Sequence, residues 1–366
     1  MWLMRLRSGC RSLHFRQLCT FKSDNTNLLI SAINKDTCHQ QFFSIPLIKP
    51  LSVGSPTPLF SLPSHSFGLT SSQYFNSFFL LHHPEYPHYN DIHLLTYNPT
   101  TQQSLTLPLD PPLPTTTTVT WEVRTHFGFD PSTKLHKVLH VKWTESIPQS
   151  IPRVINMVCT VLTIGSNMSW REVNHVPPPV DSTKCGIGGK SSVCVNGAMH
   201  WLTQYGDSIV AFDLKDENFR LIPLPHDFKK KNSASFRLEF ERLVELDGCL
   251  ALVADVYSGV EADYMLQLWI LNDYHNHVWV MKTILFPFEW SDCGQPVPVG
   301  TIPTGEILLK PLSLSKSPAW LLFYNTEGHC FKKVEIIGLP EWVYSGGPQN
   351  IRSISLYGRT SERGSC

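Results

Sequence analysis

The sequence predicts an all-β chain of stacked four-stranded antiparallel sheets. Three observations predict it: the composition, a set of glycine-turn hairpins, and a repeat near fifty residues. Only eight alanines occur in 366 residues, while Val, Ile, Thr, Phe, Tyr and Trp are plentiful. Alanine is the strongest helix former, and the abundant types suit a pleated, half-buried surface. The chain is 42% hydrophobic and 16% charged, enough apolar material to build a core. Thirty basic residues balance thirty acidic ones, so no long-range field draws the chain to nucleic acid or an anionic membrane. No apolar run approaches the 18 residues of a membrane-spanning helix.

Residues 1–23 differ from the rest. Arg5, Arg7, Arg11, Arg16 and Lys22 precede the first acid, Asp24, and Leu3, Leu6, Cys10 and Leu13 recur at helical spacing. The pattern predicts a short amphipathic helix. It suits either a mitochondrial transit segment or a helix that docks on a partner.

From residue 25 to about 360 short apolar runs alternate with Pro, Gly, Asn and Asp, as one continuous β domain requires. Three segments carry a glycine turn between apolar strands: Asn196-Gly197, Asp247-Gly248 and Thr304-Gly305. Asn-Gly and Asp-Gly supply the positive φ that a two-residue hairpin demands. Each hairpin precedes a strand ending in Asp or Asn, at Asp213, Asn272 and Asn325, and an earlier copy ends at Asn98. A further strand then leads toward proline, as in Phe219–Pro225, Trp279–Pro287 and Leu105–Pro108. Gly197, Gly248 and Gly305 are 51 and 57 residues apart. A period near fifty with four strands per unit is that of a kelch-type β-propeller blade. A four-stranded sheet cannot bury two apolar faces alone, and radial stacking buries both. Six or seven blades fit the length; a β-sandwich is the alternative.

The ordered series Leu94–Thr101, Phe127–Pro131, Val193–Leu202, Ile209–Asp213, Phe219–Pro225, Leu243–Val253 and Leu268–Trp279 resembles the plant F-box-associated interaction domain. The resemblance covers roughly residues 90–340. It implies a substrate-recognition subunit of a Skp/cullin/F-box ubiquitin ligase, without catalysis of its own. Residues 3–13 resemble the last helix of an F-box, which implies a Skp-type adaptor at Leu3, Met4, Leu6, Cys10 and Leu13, and a cullin through it. The upstream part of that module is missing here, so the alternative is a binding protein or decoy uncoupled from the ligase. Such a protein is expected in the cytoplasm or nucleus, or in the mitochondrion if the first residues are a transit segment.

Recognition by a propeller falls to loop aromatics, and Tyr86, Tyr89, Tyr257 and Trp290 are the candidates for contact with a captured protein. Other chemistry fits less well. Gly189-Lys190-Ser191 ends like a phosphate loop, but the glycine required five residues earlier is Lys184. His82, His83, His88 and His93 lie in a Pro- and Tyr-rich stretch and read as solvated loop histidines. Cys185, Cys194 and His200 read as packing rather than a zinc site. Lys229–Lys231 reads as a solvated loop, and no motif calls for a cofactor. The ten cysteines form no Cys-x-x-Cys pair and read as isolated thiols.

Overall fold

A computed structural model describes residues 26–48, 52–63, 71–75, 78–84, 92–111, 118–146, 155–165, 167–174, 192–203, 208–231, 243–254, 265–287, 294–311, 319–345 and 351–358. The chain opens with β1 (Asn27–Asn34), β2 (His39–Ile48), β3 (Ser52–Val53) and β4 (Thr57–Pro63). Five four-stranded meanders follow. Blade one is β5 (Ser71–Phe75), β6 (Phe78–Pro84), β7 (Ile92–Asn98) and β8 (Gln103–Thr106). Blade two is β9 (Thr118–Asp130), β10 (Leu135–Ser146), β11 (Ile155–Thr163) and β12 (Trp170–Glu172). Blade three is β13 (Val193–Val195), β14 (Ala198–Leu202), β15 (Ser208–Asp213) and β16 (Phe219–Pro223). The short helix α1 (His226–Lys231) leads to blade four: β17 (Leu243–Leu246), β18 (Cys249–Ala254), β19 (Met265–Asp273) and β20 (Val278–Leu285). Blade five is β21 (Val297–Thr301), β22 (Ile307–Lys310), β23 (Ala319–Asn325) and β24 (Cys330–Ile336). Helix α2 (Glu341–Ser345) precedes the last strand, β25 (Ile351–Tyr357).

β25 does not start a new sheet. It pairs antiparallel with β1, from Asn27 opposite Tyr357 to Ala32 opposite Ile351. The last strand is therefore the innermost strand of blade six, whose other strands come from the start of the chain. The first strands β5, β9, β13, β17, β21 and β25 each touch the next, and β25 touches β5. The result is a closed six-bladed β-propeller.

The core has the same six-fold division. Six apolar clusters form, one in each wedge between neighbouring blades. Alternation along a strand feeds two of them. In β1, Leu28 and Ile30 join the wedge with blade five while Leu29 joins the wedge with blade one. Phe127, Phe212 and Phe323 are fully buried in separate wedges, each worth about 1.5–3 kcal/mol of burial.

One turn recurs in every blade. The side chains of Asn34, Asn98, Asp130, Asp213, Asp273 and Asn325 each accept from a backbone N–H two residues on. The fourth residue after each has positive φ: Cys38, Gln102, Lys134, Glu217, His277 and His329. The Asx bonds hold the turn in place of the glycine that this conformation favours.

The sequence-level expectations need four corrections. A bulge between Leu271 and Asp273 makes Asp273, not Asn272, the turn residue of blade four. Thr304-Gly305 sits in a longer loop closed by Ile302 and Glu306, and only its glycine has positive φ. Lys229–Lys231 end helix α1, where Phe228 is buried and its N–H bonds the Pro225 carbonyl. Cys249 is disulfide-bonded, so the thiols are not all isolated.

Candidate interaction surface

The residues that sequence reasoning proposed for binding, Leu3, Met4, Leu6, Cys10, Leu13, Tyr86, Tyr89, Tyr257 and Trp290, lie outside the described residues. The strand ends bracketing four of them are described. Tyr86 and Tyr89 fall between β6 and β7, Tyr257 between β18 and β19, and Trp290 between β20 and β21. The first two connections join second to third strands and the last joins two blades. In a four-strand meander both kinds begin and end on the rim opposite the Asn196-Gly197 and Asp247-Gly248 turns.

Of the histidines and cysteines weighed above, His200 and Cys194 face inward. His200 is fully buried, with Nε2 2.6 Å from the Tyr274 hydroxyl and Nδ1 3.3 Å from the Val193 carbonyl. Burial pushes its pKa down to about 4. Cys194 bonds the Phe129 carbonyl, and burial pushes its thiol up to about 12. His83 stands opposite His93 across β6 and β7. Cys185, His88 and Gly186–Ser191 lie outside the described residues. Among the described residues no group of three or more potential metal ligands occurs.

A buried polar cluster escaped sequence reasoning. Asp110, in the crossover after β8, places Oδ2 2.8 Å from His140 Nδ1, 2.8 Å from Lys142 Nζ and 2.7 Å from Thr160 Oγ1. Burial alone would raise the Asp110 carboxyl, but these three donors hold it below its ordinary range. Burial lowers the His140 imidazole despite the carboxylate beside it. The side chains of His140, Asp110 and Lys142 are 2%, 6% and 7% exposed. A carboxylate, an imidazole and an ammonium together have the makings of acid–base chemistry, but they are closed off from solvent. Their work is to fasten the crossover to blade two. The available signal was the alternation His136, Val138, His140, Lys142, where β10 should have been apolar.

The described surface offers a groove of about 650 Å³ between blades four and five. Phe286 and Phe331, stacked with centroids 5.1 Å apart, and Leu322 form its floor. Leu285, Pro287 and Trp320 form its sides, and Lys333 lies 4.9 Å over the Trp320 ring. His329 and Cys330 also line it. Leu285 is 64% exposed. Such an open, apolar trough suits a side of another chain better than an enclosed small molecule.

Residues 18–355 match the model of the F-box associated beta propeller domain, a span reaching from before β1 into β25 and so covering all six blades. The chain belongs to this family. Its relatives include F-box/kelch-repeat protein At3g04660 of Arabidopsis thaliana, 26% identical over 273 residues, 69% of this chain and 62% of that protein. F-box protein DOR of the same plant is 28% identical over 251 residues, 66% and 56% of the two. The chain thus spans a little over half the length of these curated relatives. A solved prolyl endopeptidase structure aligns over 85% of this chain and 50% of its own at 8% identity and a TM-score of 0.35, too low to carry an argument. The family resemblance read from Leu94–Trp279 and the propeller read from the repeat are both right. The blade number, open between six and seven, is six.

Proposed function

We propose that this chain is the protein-binding, substrate-recognition subunit of a Skp/cullin/F-box ubiquitin ligase, and that it performs no bond chemistry itself. The observation that carries the reading is the family match across all six blades, together with F-box proteins as relatives. The inward commitment of Asp110, His140, Lys142 and His200 supports the non-catalytic part. In this reading the ring holds a target protein, and Leu3, Met4, Leu6, Cys10 and Leu13 face the Skp-type adaptor. The adaptor and cullin bring the conjugating enzyme, in the cytoplasm or nucleus. Affinity capture of the full chain from plant cells tests it. Skp-type adaptor and cullin should co-purify above a control propeller, and a captured protein should gain ubiquitin when the chain is over-expressed. Capture of partners without any ligase subunit would overturn the ligase reading and leave an uncoupled binding protein.

A further inference from the structure

The outer edge of blade four differs from the other five. A sheet edge exposes unpaired N–H and C=O groups, and proteins blunt such edges with charge, proline or brevity. β8 is four residues and mostly polar, and β12 is three residues with Arg171 and Glu172. β4 carries Pro58 and Pro63, β16 carries Arg220 and Pro223, and β24 carries Lys332, Lys333 and Glu335. β20 is eight residues long, ends its sheet, and carries a single charge, Lys282. It exposes Val278, Val280, Met281 and Leu285. This unblunted edge runs into the apolar groove, since Leu285, Phe286 and Pro287 line it.

Among the described residues the charge beside the groove is mainly basic. Lys333 lines it, and Lys282 projects from the same side of β20 as Ile284, which packs in the wedge toward blade five. Neither ammonium meets a carboxylate among the described residues, and none of the residues lining the groove is acidic; Glu335 stands opposite the groove residue Trp320 across β23 and β24. The chain's own basic segment, with Arg5, Arg7, Arg11 and Arg16, is therefore a poor occupant.

We propose that β20 and the adjoining groove bind an extended segment of a partner protein that alternates acidic and apolar side chains. The segment lies along the β20 edge as an added strand. Its apolar side chains enter the trough over Phe286 and Phe331, and its carboxylates meet Lys282 and Lys333. The proposal deepens the reading of the chain as a holder of other proteins and rests on that part of it.

The test uses the purified full chain and three labelled nine-residue peptides, alternating Asp with Leu and Phe, Lys with Leu and Phe, and Asp with Ser. Fluorescence anisotropy should show the Asp–Leu/Phe peptide binding about tenfold or more tighter than either control. Raising the salt concentration should weaken it. Leu285→Glu and Lys333→Glu should each abolish the preference, and Leu135→Glu, exposed on blade two, should leave it unchanged. Equal binding of the Lys peptide, or insensitivity to both groove variants, overturns the proposal. A dimer in sedimentation that Met281→Lys dissolves also overturns it, because a second copy is then the occupant. Groove binding without captured ligase subunits contradicts the ligase reading alone. Capture of ligase subunits and a target undisturbed by Leu285→Glu contradicts the groove alone.

Discussion

The indole N–H of Trp170, at the start of the outer strand of blade two, donates to the carbonyl of Pro108, just past the outer strand of blade one, at 2.8 Å. Trp279 repeats the bond two blades on, reaching the Pro223 carbonyl of blade three at 3.1 Å. Blade twist brings the beginning of one outer strand beside the end of the preceding one, and the indole spans the gap. Each proline thus marks the end of an outer strand whose carbonyl serves the next blade. Trp170 also stacks on His140 at 4.3 Å. Trp170→Phe retains the ring and loses the donor, so it should destabilise by about 1–3 kcal/mol in urea unfolding. No change in midpoint would remove the bond from the account.

Asp110 gathers an ammonium, an imidazole and a hydroxyl within 2.8 Å. Asp110→Ala leaves Lys142 buried beside no carboxylate and should cost about 3–5 kcal/mol. Adding Lys142→Met should restore part of that loss, because it removes the stranded charge. A single variant as stable as the parent, by thermal melting, would show that the cluster fastens nothing.

His126 lies fully buried, stacked on Trp201 at 4.4 Å, with no hydrogen-bond partner at either ring nitrogen among the described residues. Burial, then Arg124 and His140, push its pKa down to about 3. Its folded value is below the unfolded one, so the unfolded chain binds the extra proton from about pH 6.5 downward. Stability present at neutral pH is therefore lost as pH falls. Each such histidine contributes a slope of about 1.4 kcal/mol per pH unit in that window. His126→Phe keeps a ring against Trp201 and should flatten the dependence by about one proton between pH 4.5 and 6, above the carboxylate range. An unchanged slope would place the uptake elsewhere, with His200 next in line.

The bulge in β19 is testable by rank. Asp273 accepts from the N–H groups of His275 and Asn276, whereas Asn272 is the extra, exposed residue. Asp273→Ala should lower the melting temperature and Asn272→Ala should not. The reverse order would restore Asn272 as the turn residue.

That bulge shows where sequence reading stops. Asn196-Gly197 and Asp247-Gly248 were legible because two adjacent positive φ angles demand those residue types. A bulge slides the register by one residue without leaving a mark in composition, so Asn272 and Asp273 looked equivalent. Blade two was hidden for a different reason. It lacks a glycine turn between its first two strands, and β10 fills core positions with His140 and Lys142, whose shared partner Asp110 comes from the crossover after blade one. Ring closure was equally silent, since nothing periodic links Leu28 with Leu356, although they stand opposite each other. The groove was invisible because Leu285 and Trp320 come from different repeats and each alone reads as core.

The ring closes because the two ends of the described chain share one blade, and that closure holds the outer edges in position. Ser31 and Ser353 face each other across β1 and β25, hydroxyl oxygens 2.7 Å apart. Replacing both, Ser31→Cys with Ser353→Cys, and mapping disulfides by mass spectrometry in the native monomer tests the closure directly. Quantitative linkage of 31 to 353 within one chain, with a raised melting temperature, is the predicted result. Absence of that linkage, or linkage found only between two chains, would contradict a closed ring.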